Sequence, residues 1–169
     1  ALATGDPFAP IERRRRVTPS KLKSEYLVNP LGLDMPRPRL SWVLESSRRG
    51  QFQTAYQIFV ATDSKKLAAG EGDCWDSGKV VSDRSVNIEY DGRELESGET
   101  CYWKVRSWDI DDEAGPWSAP ATFEVGLLES QDWTGGWIAA DDKQISSPLL
   151  RREFLIDSSD IVRARAYVC

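Results

Sequence analysis

The segment CYWKVRSWDIDDEAGPWS, Cys101 to Ser118, gathers three tryptophans, two long cations and four acidic side chains. An indole face stacks on the apolar face of a sugar while an adjacent guanidinium donates to its hydroxyls, so these residue types fit carbohydrate binding. Carboxylates hold calcium or act as acid and base. Asp109, Asp111 and Glu113 alternate as calcium-loop ligands do. However, Ala114 stands where that loop needs glycine, and no bidentate glutamate closes it. A solvated hairpin turn is the preferred reading. The sequence contains no histidine, which removes a Ser-His-Asp triad and a Cys/His zinc site within it. Cys74, Cys101 and Cys169 lack metal-ligand spacing; each reads by default as a buried thiol, with a Cys74 to Cys101 pairing as the alternative. No catalytic residue, metal or cofactor is expected.

What these side chains do depends on the face each occupies. Along a strand from Cys101 to Asp109, alternation places Cys101, Trp103, Val105 and Ser107 on one side, and Tyr102, Lys104, Arg106 and Trp108 on the other. The first set suits a core, near Trp42 of a facing sheet. The second is amphipathic. Trp108, Arg106 and Tyr102 are the candidate surface for carbohydrate or for a neighbouring domain. The interdomain reading is preferred, because aromatic and Arg side chains are enriched at buried interface centres. Trp133 and Trp137 read as rings pinning a linker between domains, while Trp75 and Trp117 stand near turns and stay undecided. A receptor-like adhesion sandwich, prompted by Trp117-Ser118, is a weaker reading because no second Trp-Ser pair follows.

The surrounding sequence supplies strands. Period-two patterning appears in LKSEYLV (Leu22 to Val28), RLSWVLES, AYQIFVAT, CWDSGKV, SVNIEYD, CYWKVRSWD and ATFEVG. In SVNIEYD, Val86, Ile88 and Tyr90 share a register, and SKKLAAG predicts a helical turn closed by Gly70. About seven strands with turns roughly every ten residues predict an all-β, fibronectin type III-like (Ig-like) antiparallel β-sandwich. It spans 21–127, after a Pro-interrupted leader over 1–20. Residues 128–169 read as a connector and the first strands, PLLRREFLID and VRARAYVC, of a second and incomplete β-sandwich domain.

Composition narrows the function classes. At 169 residues, 40% hydrophobic and 29% charged with a net charge of −5, the chain has the profile of a soluble globular protein. It lacks the basic face that nucleic-acid binding requires. Arg13 to Arg16 form the one basic cluster and read as part of a solvated leader. No apolar run reaches the roughly eighteen residues of a transmembrane helix, and no signal peptide pattern opens the sequence. Composition does not fix the compartment; extracellular or periplasmic is favoured over cytoplasmic.

Several segments resemble, in order and spacing, the N-terminal region of bacterial α-L-rhamnosidases of glycoside hydrolase family 78. They are EYLVNPLGLDMPRPRLSWVLES, RGQFQTAYQIFVAT, CWDSGKVVSDRS, YWKVRSWD with GPWS, FEVGLL and DW, then GWI, SPLLRREF and ARAYV. The resemblance implies a fibronectin-like sandwich followed by the start of a β-sandwich that precedes the catalytic module. It also implies an intact polypeptide that hydrolyses terminal α-L-rhamnosyl residues with inversion, using carboxylates on an (α/α)₆ barrel that no position here matches. The expected role of this chain is therefore a non-catalytic accessory portion whose partners are the remaining domains of its own polypeptide. An autonomous carbohydrate-binding module is the alternative. In such sandwiches an inward tyrosine often anchors the corner before this strand, and that place falls on Cys101. Either the corner bond is missing or a one-residue bulge brings Tyr102 into it.

Overall fold

The computed structural model describes residues 16–136, 138–139, 149, 151–156, 160–161 and 164–168, which fall into two units dividing between Trp133 and Thr134. In the first, eight strands form two sheets: β1 (Thr18–Ser24), β2 (Arg39–Glu45), β3 (Ala55–Ala61), β4 (Trp75–Asp76), β5 (Val80–Val81), β6 (Ile88–Glu89), β7 (Thr100–Trp108) and β8 (Ala121–Glu124). One sheet has the order β1-β2-β6. The other runs β4-β3-β7-β8, with β5 also on β3. All the strand pairings are antiparallel, as expected for an all-β sandwich.

Alternation explains why these segments make strands. Leu40 and Trp42 of β2, Tyr56, Ile58 and Val60 of β3, Cys101, Trp103 and Val105 of β7, and Phe123 of β8 point into one shared core. Each large apolar side chain withdrawn from water contributes on the order of 2 kcal/mol. Trp42 meets Tyr56 edge to face, with centroids 5.3 Å apart. The buried Gln53 ties the sheets together. Its Oε1 accepts from Trp42 Nε1 at 3.1 Å and Ser107 Oγ at 2.7 Å, while its Nε2 donates to Arg84 O at 2.7 Å. A short helix α1 (Ser64–Ala69) follows β3, capped by Asp63 and closed by Gly70 at φ 85°. Its Leu67 is buried.

Five expectations need correction. The first strand begins and ends four residues earlier than the pattern LKSEYLV suggests, and Val17 is already buried. Glu25 and Tyr26 take positive φ (48° and 67°), and Ser24 and Leu27 exchange backbone hydrogen bonds across them. The Glu25 carboxylate is drawn to the backbone N–H and guanidinium of Arg39, which lowers its pKa. Arg16 likewise belongs to the sandwich, since its guanidinium donates to Ala114 O at 2.8 Å; Arg13 to Arg15 lie outside the described residues. Val86 leaves the face shared by Ile88 and Tyr90 and stands 53% exposed, because Asn87 at φ 55° breaks the alternation.

The corner before β7 is also resolved differently. No bulge intervenes, for burial alternates strictly from Cys101 to Ser107. The anchoring hydroxyl comes from Tyr90, which donates toward Cys74 O at 3.1 Å and Arg93 O at 2.8 Å. In the second unit, the described parts of PLLRREFLID and VRARAYVC, 149, 151–156 and 164–168, form no strand. Two strands alone lack the partners that would pair their backbone groups. Trp137 and Cys169 lie outside the described residues.

Candidate functional site

Register builds the outer face of the larger sheet. β3 and β7 pair Ala55 with Trp108, Gln57 with Arg106, Phe59 with Lys104 and Ala61 with Tyr102. Directly opposite residues project to the same side, so a small side chain sits beneath Trp108 and an aromatic one beside Lys104. Trp117, arriving from the turn before β8, stacks on Phe59 with centroids 4.6 Å apart at 27°. Cations then alternate with rings. Lys104 Nζ lies 5.0 Å from the Trp117 centroid and Arg106 Cζ 4.8 Å from it. The same Arg106 carbon is 4.8 Å from the Trp108 centroid, and Lys79 Nζ stands 5.0 Å from that ring.

Each cation is also held by an oxygen. Arg106 Nε and Nη2 donate to Gln57 Oε1 at 3.0 and 2.6 Å, and Gln57 Nε2 donates to Asp76 Oδ1 at 2.7 Å. Lys104 Nζ donates to Leu67 O at the end of α1. Burial, followed by the neighbouring Arg106 charge, lowers the pKa of Lys104. Lys79 pairs with Asp112 at 2.6 Å. The candidate residues are therefore placed as follows. Trp108 does leave the inner face, but it is only 8% exposed and its ring is engaged by two cations. Arg106 touches it. Tyr102 is half-buried and lies six residues back along β7, about 20 Å away at the usual strand rise. The three do not converge on one sugar-sized site.

Lys79, Gln57, Phe59 and Trp117 complete this ladder. The sequence offered the alternation within β7 but no local signal for which loop would cover it. The acidic run is a turn. Asp109 Oδ1 accepts from the N–H groups of Asp111 and Glu113, both at 3.0 Å, while Asp111 and Asp112 pair with Arg48 and Lys79. Among the described residues, one group has metal-ligand proximity: Cys74, Glu99 and Cys101, with ligand atoms within 4.8 Å of one another. Glu99 is already committed there, accepting from Arg93 Nη1 and Nη2 and from Glu96 N–H.

The family described as Rha78A-like, N-terminal immunoglobulin domain, matches residues 19–129. This chain belongs to that family. The matched residues coincide with the sandwich. An α-L-rhamnosidase of Streptomyces avermitilis is 44% identical over 126 residues, which are 75% of this chain and 12% of that protein. One from an Alteromonas species is 38% identical over 162 residues, 89% of this chain and 17% of the relative. Among solved structures, that of α-L-rhamnosidase from Dictyoglumus thermophilum superposes with a TM-score of 0.70 at 42% identity, covering 72% of this chain and 14% of that one. The S. avermitilis enzyme complexed with L-rhamnose gives 0.70 at 44% identity, over 73% and 12%. The Rha78A-like chain thus spans between an eighth and a sixth of the curated relatives' length.

Proposed function

We propose that this chain is a non-catalytic accessory portion of an α-L-rhamnosidase-like glycoside hydrolase. The intact polypeptide removes terminal non-reducing α-L-rhamnose with inversion, and residues 128–169 supply a connector and the first strands of a second β-sandwich domain. The observation that carries this reading is the match of the sandwich to a domain that makes up so small a share of each relative. The ladder supports it, since the rings a sugar would need are already stacked on cations. Inverting hydrolysis needs two carboxyl groups about 6.5 to 9.5 Å apart across a pocket, and the acids near the ladder are occupied in turns and ion pairs.

The partner in this reading is the following domain of the same polypeptide. The loop between β1 and β2 exposes Tyr26, Leu27, Val28, Leu31 and Met35. Backbone bonds fix this loop to the strand that leaves the sandwich: Leu33 N–H donates to Glu124 O at 2.8 Å, and Gly126 N–H donates to Leu33 O at 2.7 Å. An exposed apolar surface of this kind supports a docking role toward other domains of the same polypeptide. The expected result is that this chain does not turn over aryl α-L-rhamnosides while the intact polypeptide does. Leu27→Asp with Val28→Asp lowers the thermal midpoint of the intact protein, yet changes the stability of this chain by less than about 0.5 kcal/mol. Turnover by this chain that one carboxylate substitution abolishes would contradict the reading.

A further inference from the structure

Cys74 and Cys101 stand 27 positions apart in sequence, yet their sulfur atoms lie within 4.8 Å of each other. Topology brings them together. β4 and β7 flank β3, and β3 ends at Ala61, opposite Tyr102. Cys74 comes just before Trp75, which pairs with Val60, and Cys101 just before Tyr102, which pairs with Ala61, so both stand beside the end of β3. Both thiols are buried, at 4% and 0% exposure, and share a hydrogen bond. The backbone around Cys74 is fixed on several sides. Its N–H donates to Val60 O at 3.0 Å, and its carbonyl accepts from Arg93 N–H at 3.0 Å and Tyr90 Oη at 3.1 Å. At Gly92 a Cβ would stand 2.3 Å from that same carbonyl oxygen, so only glycine lets the loop close this tightly over Cys74.

We propose that Cys74 and Cys101 are a disulfide site, oxidised to a cystine that joins the residue preceding β4 to β7. The oxidant is a disulfide, either a small-molecule one or that of a dithiol oxidoreductase. The Cys74 thiolate attacks one of its sulfurs, forming a mixed disulfide and releasing one thiolate. The Cys101 thiolate then attacks the Cys74 sulfur, forming the Cys74–Cys101 bond and expelling the second thiol. Two protons leave the protein, and the oxidant is reduced by two electrons. Cys74 is the natural attacker. The hydrogen bond with Cys101 lowers its pKa against the opposing effect of burial, and Arg93 adds to the lowering; the bond to Cys74 and burial push Cys101 up. Since neither sulfur is accessible in the closed sandwich, exchange takes place during folding or on opening of the two-residue β4. A cation at the same place is disfavoured by the Arg93 guanidinium, which already holds Glu99.

The test uses the chain with Cys169→Ser, unfolded, refolded in mixed oxidised and reduced glutathione, and alkylated in denaturant. The expected product carries no alkyl group and is lighter than the reduced chain by two hydrogen atoms. It yields one reducible cross-linked pair of tryptic peptides, 67–79 with 94–104. Reduction lowers its thermal midpoint by on the order of 10 °C, and Cys74→Ala with Cys101→Ala removes that response. Recovery of both thiols as alkylated cysteine, or of glutathione on each, would overturn the proposal. So would stoichiometric Zn²⁺ uptake by the reduced chain that requires both thiols and blocks their oxidation.

Discussion

On the inner face of β7, Trp103 is 0% exposed among Tyr56, Val60, Tyr90 and Phe123 of one apolar cluster; its Nε1 has no hydrogen-bond partner among the described residues. On the outer face, Trp108 is 8% exposed, nearly as buried, but Arg106 and Lys79 are what cover it. Burial alone would rank the two rings together. The covering atoms separate them: apolar neighbours leave a hole when the ring is removed, whereas long cationic stems can bend inward while their charged heads return to water.

Truncation should expose that difference. Trp103→Ala is expected to cost about 3–5 kcal/mol in urea unfolding, the range for a large aromatic lost from a packed core; a loss no larger than that of the outer ring would erase the contrast. Arg106→Met keeps the stem but removes two ring contacts and the bonds to Gln57, for an expected loss of about 1–2 kcal/mol. The helix that supports Lys104 adds a pH-dependent contribution. Burial opposes ionisation of Asp73, but hydrogen bonds from Lys66 and Thr62 outweigh it and hold the carboxyl at about 2, below its usual 3.8. This stabilisation is complete above pH 3.8 and is lost as pH falls toward 2. Stability measured over that window should therefore drop by about 1 kcal/mol more in the parent chain than in Asp73→Asn. Lys79→Met should have the smallest effect, below about 1 kcal/mol and shrinking with added salt if charge rather than the stem matters.

The inner face was legible in the sequence because its information is local. Leu40 with Trp42, Ile58 with Val60, and Trp103 with Val105 alternate within single strands, and these segments became β2, β3 and β7. Breaks in alternation were not legible where they arise from backbone conformation. Glu25, Tyr26 and Asn87 adopt positive φ without being glycine, which moved the first strand and turned Val86 outward. The outer face was half legible. Alternation put Arg106 and Trp108 on one side, but Trp117 and Lys79 come from other segments: Trp117 is held over the face by its neighbour Ser118, which bonds to Val105 of β7, and Lys79 precedes β5, which pairs with β3. The proximity of Cys74 to Cys101 is non-local in the same way, for it depends on β3 ending at Ala61.

The claim that the outer rings serve the fold rather than a sugar is tested most directly by tryptophan fluorescence of this chain during titration with L-rhamnose and rhamnosylated glycosides. With Trp108 and Trp117 stacked on their own cations, the spectrum should stay unchanged throughout. Saturable quenching that disappears in Trp108→Ala, but persists when an exposed residue such as Val81 is changed instead, would contradict it.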